Sequence, residues 1–288
     1  MAAKVISGKE VAAQLREQIK NDAADLTDKG ITPGLAVVLV GDNPASRSYV
    51  KGKEKASAQA GIYSELCELP EDVTEKKLLQ IVEDYNNNPS IHGILVQLPL
   101  PEQISETKVI ETISPAKDVD GFHPISIGRM MTGQETFLPC TPFGIIKMLE
   151  QENITMEGKH AVVIGRSNIV GKPVGQLLLN NNATVTYCHS RTKNLSEMTK
   201  QADIVIAAVG RAEIINDSHL KEGAVVIDVG MNRKDDGKLC GDVDFEKASE
   251  KASFITPVPG GVGPMTITML LHNTVLSAAR IYEKSHSQ

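Results

Sequence analysis

The run Arg47-Ser48-Tyr49-Val50-Lys51-Gly52-Lys53 places a phenol and two amines within five residues. Tyr49 and Lys53 are four apart, so on a helix they share a face while Lys51 points away. A lysine desolvated in a cleft loses part of its proton affinity and can move protons near neutral pH. Most single lysines are solvated surface charges, and spacing alone leaves that reading open for Lys53. Farther along, Gln97 closes the apolar run Gly93-Ile94-Leu95-Val96 just before Leu98-Pro99-Leu100-Pro101. It could satisfy a loop backbone or serve as a neutral hydrogen-bonding neighbour of Lys53. Lys117-Asp118-Val119-Asp120-Gly121 offers two carboxylates ahead of a glycine, a pattern that often only builds a turn.

A second kind of chemistry is written in Gly165-Arg166-Ser167-Asn168-Ile169-Val170-Gly171, which follows Ala161-Val162-Val163-Ile164 and precedes a helix-like stretch, Val174–Leu179. Strand, glycine turn and helix in that order aim backbone N–H groups and a helix N-terminus at a phosphate. The match to G-x-G-x-x-G is imperfect, because Ser167 replaces the second glycine and the last glycine comes one residue late. The next apolar run ends in His189-Ser190-Arg191-Thr192. An NAD site would carry an acid there to bind the ribose hydroxyls. Ser190 and Arg191 instead suit an added 2′-phosphate, which Arg166 could also reach, and this favours NADP. Arg191 and Lys193 would otherwise be ordinary loop charges. A further segment, Pro257-Val258-Pro259-Gly260-Gly261-Val262-Gly263-Pro264, is richer in Gly and Pro than one turn needs and suggests backbone passing close to a ligand.

These residues need elements to hold them. Seven apolar runs read as strands: Leu35–Val40, Ile91–Gln97, Ala161–Gly165, Ala183–Cys188, Asp203–Gly210, Ala224–Val229 and Ser253–Thr256. They are nearly continuous in apolar residues, as strands covered on both faces are, and helical patterns lie between them. The expectation is an α/β chain of two domains, the second a Rossmann-like, doubly wound parallel sheet. The sequence boundary falls near residue 120, giving domains 1–120 and 121–288, with an apolar helix over about 266–284 packing back on the first half. Asn43 and Pro44 look like the N-cap and first residue of the helix that carries Tyr49 and Lys53, which ends near Gly61. Thr141 and Pro142 look like the start of another, running to Glu152.

Composition narrows the function classes. The 288 residues are 41% hydrophobic and 23% charged, which is ordinary for globular domains. A net charge of −6, aromatics at 3% and no Trp argue against a nucleic-acid partner, which would need a basic face or stacking platforms. No apolar run approaches the roughly 18–20 residues of a membrane span, and the first ten residues have no signal-peptide core. Cys67, Cys140, Cys188 and Cys240 are widely spaced, without a metal-ligand pattern, and read as reduced thiols of a cytoplasmic protein with no metal.

Six ordered motifs across nearly the whole chain resemble one family, the bifunctional methylenetetrahydrofolate dehydrogenase/cyclohydrolases. They are Tyr49-Val-Lys-Gly-Lys53, Gly93-Ile-Leu-Val-Gln-Leu-Pro-Leu-Pro101, Lys117-Asp-Val-Asp-Gly121, Pro139-Cys-Thr-Pro142, Gly165-Arg-Ser-Asn-Ile-Val-Gly171 and Pro257-Val-Pro-Gly-Gly-Val-Gly-Pro-Met-Thr266. The resemblance implies Lys53 as general acid/base, Tyr49 stacking on the folate, Gln97 tuning the lysine, and Asp120 binding the amino-pyrimidine end of the pterin. It further implies Pro259 and Gly260 lining a folate cleft between the domains, and Gly165, Arg166, Ser167, Ser190 and Arg191 holding NADP. A homodimer joined through the nucleotide domains is implied as well. The implied reaction oxidises 5,10-methylenetetrahydrofolate to the methenyl form and then hydrolyses it to 10-formyltetrahydrofolate. Two other readings remain: an NAD-using enzyme with the dehydrogenase step alone, and a non-catalytic NADP-responsive module, which would have no need of Tyr49, Lys53 and Gln97 together.

Overall fold

The computed structural model describes residues 3–286. Its first half runs β1 (Lys4–Val5), α1 (Gly8–Asp28), β2 (Gly34–Val40), α2 (Pro44–Gln59), β3 (Tyr63–Leu69), α3 (Glu75–Asn87), β4 (Gly93–Val96), α4 (Glu106–Thr112) and α5 (Pro124–Met131). The second half begins with α6 (Cys140–Gln151), β5 (His160–Ile164), α7 (Gly171–Asn180), β6 (Thr184–Cys188), α8 (Leu195–Thr199) and β7 (Ile204–Ala207). It ends with β8 (Val225–Asp228), β9 (Asn232–Arg233), β10 (Leu239–Cys240), α9 (Phe245–Ser249), β11 (Phe254–Ile255) and α10 (Val262–His286).

The chain forms two compact units, Gln14–Cys140 with Ile267–Gln288, and Met1–Ala13 with Thr141–Thr266. This division differs from a single cut near residue 120, for reasons visible in the hydrogen bonds. β1 pairs in parallel with β11, Lys4 opposite Phe254 and Val5 opposite Ile255, so the N-terminus joins the later sheet. Asn273 on α10 donates its side-chain amide to the carbonyls of Val119, at 2.8 Å, and Leu138, at 3.1 Å, which ties α10 and the stretch before α6 to the earlier one.

In the unit containing β2, three parallel strands lie in the order β3-β2-β4. All seven residues of β2 are buried, as a central strand of Val and Leu should be. Its core joins Val38, Leu78, Val82, Ile94, Val96 and Val109. β3 was not legible as a strand: it reads Tyr-Ser-Glu-Leu-Cys-Glu-Leu and is only half buried, at the sheet edge.

The other unit carries six parallel strands in the order β1-β11-β8-β7-β5-β6. From β5 the chain moves to one side to make β6, then crosses to the other side for β7 and β8. That reversal is the doubly wound pattern, and it puts the switch point at the C-terminal end of β5. Val162, Ile164, Val205, Val226 and Ile255 fill the core.

Candidate active site

α2 starts as its sequence demands. Asn43 Oδ1 accepts from Ala45 N at 3.0 Å and Ser46 N at 3.2 Å, Pro44 takes a position whose N–H would have no partner, and the helix stops at Gly61 with φ +71°. Its period turns Lys53 inward, 7% exposed, while Tyr49 one turn earlier stays 37% exposed and Lys51 faces solvent. Burial raises the proton affinity of the Tyr49 phenol.

The Lys53 ammonium donates to Gln97 Oε1 at 2.9 Å. The Gln97 side-chain amide in turn donates to the Leu98 carbonyl at 2.7 Å, so Gln97 fills both roles open to it. It sits there because Gln97 N still donates to Val38 O at 2.8 Å, one step past β4, before Pro99, which has no N–H to donate, ends the ladder.

The Lys117–Gly121 segment separates its charges by function. Lys117 Nζ donates to the Tyr85 and Asn88 carbonyls at 3.0 and 2.8 Å, at the C-terminal end of α3. Asp118 is the turn residue: its carboxylate accepts from Phe122 N at 3.2 Å, His123 N at 2.9 Å and Ser126 Oγ at 2.7 Å. Burial pushes its proton affinity up to about 7. Asp120 faces Lys53 instead. Gly93 makes room for this, since a Cβ there would lie 2.7 Å from Val119 Cγ1, and Ile94 N donates to Lys117 O at 2.9 Å. Gly121 has φ +76°, and a Cβ would meet Leu138 C at 2.6 Å, so only glycine fits the turn.

Burial lowers the pKa of Lys53, and the negative charge of Asp120 pulls part of it back. Asp120 shifts upward, again through burial, with Lys53 opposing. Cys140 completes the cluster: its buried thiol donates to Val119 O at 3.3 Å, and burial together with Asp120 raises its pKa well above the ordinary thiol value. It is therefore held as a neutral thiol rather than a nucleophile. Cysteine spacing alone marks Cys140 only as a reduced thiol; its place in the motif Pro139-Cys-Thr-Pro142 is the signal that sets it apart. Helix α6 also begins at Cys140, not after a Thr141 cap. Thr141 Oγ1 pairs with Thr266 Oγ1 at 2.8 Å, and Pro142 remains within the first turn, where its missing N–H costs nothing.

In the other unit the glycine turn closes the gap between β5 and β7. Gly165 has φ +136°, and a Cβ on it would collide with the Ala208 carbonyl. A Cβ on Gly171 would lie 2.6 Å from Gly165 C. Ser167, in place of the usual glycine, accepts through Oγ from Val170 N and Gly171 N, both at 3.2 Å, and so closes the turn ahead of α7. Gly165 N donates to Cys188 O at 2.8 Å, so the ends of β5 and β6 are neighbours. Arg166 follows one, Ser190 and Arg191 the other, and all three side chains are exposed. The His189–Thr192 turn is closed internally, His189 N to Thr192 Oγ1 at 2.8 Å and Arg191 N to His189 Nδ1 at 3.1 Å. The donor set fits NADP: close backbone at the turn, two guanidinium groups, a hydroxyl, and no acid opposing a 2′-phosphate.

Gly260 lies in the same unit, with φ +101°, after the cis Val258–Pro259 peptide, and its carbonyl accepts from Lys9 N at 3.2 Å. The loop also approaches protein closely: a Cβ on Gly8 would collide with the Gly261 carbonyl. The structure thus gathers Tyr49, Lys53, Gln97 and Asp120 in one unit, and Gly165, Arg166, Ser167, Ser190, Arg191, Pro259 and Gly260 in the other.

Comparison with known proteins divides the chain along the sequence, so residues 6–13 and 267–282 are grouped differently from the compact units. Residues 6–120 match the tetrahydrofolate dehydrogenase/cyclohydrolase catalytic domain, and residues 139–282 match the NAD(P)-binding domain of that family. A protein of Oceanobacillus iheyensis named bifunctional protein FolD is 66% identical over 96% of this chain and 97% of its own. The crystal structure of the bifunctional FolD methylenetetrahydrofolate dehydrogenase/cyclohydrolase of Campylobacter jejuni is 52% identical, with a TM-score of 0.96 over 97% of this chain and all of that one. The Trypanosoma brucei dehydrogenase-cyclohydrolase, solved with NADP and an inhibitor, is 37% identical, with a TM-score of 0.94 over 98% of this chain and 99% of that one. With both domains matched in order, and relatives alike from end to end, the chain belongs to the tetrahydrofolate dehydrogenase/cyclohydrolase family.

Proposed function

We propose that Lys53 carries the protons in the reactions of this chain, with Gln97 orienting its amine, Tyr49 stacking on the substrate and Asp120 binding the pterin edge. The chain oxidises 5,10-methylenetetrahydrofolate to the methenyl form with NADP, and hydrolyses that product to 10-formyltetrahydrofolate. The observation that carries the residue assignment is the buried Lys53 ammonium, hydrogen-bonded by the neutral Gln97 and facing Asp120.

NADP, when bound, supplies the hydride acceptor. The protein's part in that step is orientation, because folate nitrogen lone pairs already stabilise the cation left on the one-carbon unit. Hydrolysis needs more. Water oxygen bonds to the methenyl carbon and gives a proton to neutral Lys53. The bond from that carbon to N5 then breaks as N5 takes a proton from the lysine, and the remaining hydroxyl proton leaves as the formyl C=O forms. One proton is released overall. A lysine with lowered pKa can both take and return it.

Pro259 and Gly260 belong to the folate-binding surface in this reading, and Gly165, Arg166, Ser167, Ser190 and Arg191 to the NADP site. The reading extends to a cytoplasmic homodimer joined through the nucleotide-binding units. The free state of all four cysteines supports a reducing compartment. Among the described residues no helix is long and apolar enough to cross a membrane. Mixing protein, methylenetetrahydrofolate and NADP tests the function: absorbance should rise at the reduced-nucleotide band, with methenyl absorbance transient. No reduced nucleotide would overturn the reading, and light scattering decides the dimer.

A further inference from the structure

The C-terminal ends of β7 and β8 are tied together by two buried carboxylates that the reaction does not use. Asp242 is fully buried. Its Oδ2 accepts from Val209 N at 2.6 Å and Gly210 N at 3.1 Å, and its Oδ1 from Arg211 N and from the side-chain amide of Asn232, both at 2.9 Å. Three consecutive backbone N–H groups after β7 therefore converge on one side chain. Asp228, 3% exposed at the end of β8, holds the holder: its Oδ1 accepts from Asp242 N and Gly230 N at 2.9 Å, and its Oδ2 from Val243 N at 3.0 Å. Gly230 and Gly241 are glycines for this reason, since a Cβ on either would collide with one of the two carboxylates.

The loop so fixed is the one that meets the glycine turn. Ala208, one residue before Val209, donates its N–H to Ile164 O at 2.8 Å, and its carbonyl occupies the space a Gly165 Cβ would need. The turn at the end of β5 thus rests against a segment whose position Asp242 sets. Ligands of doubly wound sheets bind at this edge of the strands.

We propose that Asp242 is a positioning residue for the nucleotide, fixing the Val209–Arg211 loop so that Ala208 supports the Gly165 turn. The inference rests on NADP use as read above. Asp242→Asn keeps the size but puts an NH2 group against N–H donors, so the loop loses acceptors and gains repulsion. NADP affinity, measured by direct titration without folate, should fall on the order of ten-fold or more. Amide exchange at Val209–Arg211 should accelerate while β7 stays protected. Hydrolysis of methenyltetrahydrofolate, which consumes no nucleotide, should stay within about two-fold of the parent. Asn232→Ala, which removes one donor and leaves the backbone intact, should weaken NADP in the same direction by a few-fold, and it decides alone if Asp242→Asn does not fold. Parent-like NADP affinity in the variants, or loss of hydrolysis in parallel with NADP binding, would overturn the inference. A parent protein that does not bind NADP at all would instead overturn the functional reading, and this inference with it.

Discussion

The Lys53 ammonium and the Gln97 carbonyl oxygen are 2.9 Å apart, and because the other end of the amide is committed to the Leu98 carbonyl, the lysine meets an acceptor that carries no charge. Gln97→Glu would replace that neutral acceptor with a carboxylate and hold the lysine as ammonium. Hydrolysis at neutral pH should fall by about 10²-fold, with hydride transfer less affected. Methenyl decay and nucleotide reduction, followed on the same sample, give the two numbers. Equal losses in both would mean that Gln97 only supports the loop.

Hydride loss releases no proton from carbon, so the first reaction has no formal need of Lys53. Lys53→Met keeps the length and the apolar stem. Hydrolysis of methenyltetrahydrofolate should fall on the order of 10²–10⁴-fold, and methenyl absorbance should accumulate with NADP present. Hydrolysis at the parent rate would reassign the proton to another group.

Burial lowers the Lys53 pKa below 10.5, which fixes the sign of the pH profile. The water-addition step needs the neutral amine, so hydrolysis should rise with pH through an apparent pKa below 10.5. Asp120 raises that pKa, so Asp120→Asn should move the rise to lower pH while weakening folate in both reactions by about 2 kcal/mol. A profile shifted upward would contradict the placement of this charge.

Arg191 stands exposed after β6 with no acid beside Ser190. Arg191→Ala should raise the KM for NADP about ten-fold or more and leave that for NAD nearly unchanged, since only the former has a phosphate to lose. Steady-state rates with the two nucleotides decide it, and equal effects would place Arg191 outside the 2′-phosphate contact.

What could be read from the sequence follows from how locally each feature is encoded. Asn43-Pro44 announces the start of α2, and the four-residue spacing of Tyr49 and Lys53 announces their shared face; both depend on neighbours in the chain. The continuous Val and Ile of β2, β5, β7 and β8 announce strands because both faces of each are buried. The contacts of Cys140 in the site, and of Asn273 that holds α10 beside it, were not legible. Their partners, Val119 O for both and Leu138 O for Asn273, are backbone groups brought near by tertiary packing, and no residue pattern records a carbonyl. The roles of Asp118 and Asp120 could not be separated either, since two acids in one turn look alike until the fold gives one of them three donors and the other a lysine.

The half-buried, acidic strand β3 has a consequence for self-association. A strand at the end of a sheet has a row of free backbone donors and acceptors that another copy could extend. β3 carries Glu65 and Glu68 among its seven residues, with Tyr63 and Tyr85 hydrogen-bonded to the Glu65 carboxylate at 3.2 and 2.9 Å. A second copy stacking against this edge would bring Glu65 carboxylates together and strip water from them and from the Glu68–Arg47 ion pair, at a cost that grows with each added chain. The glutamates that kept β3 from reading as a strand therefore act as gatekeepers, making open-ended fibril growth from this edge unfavourable at neutral pH.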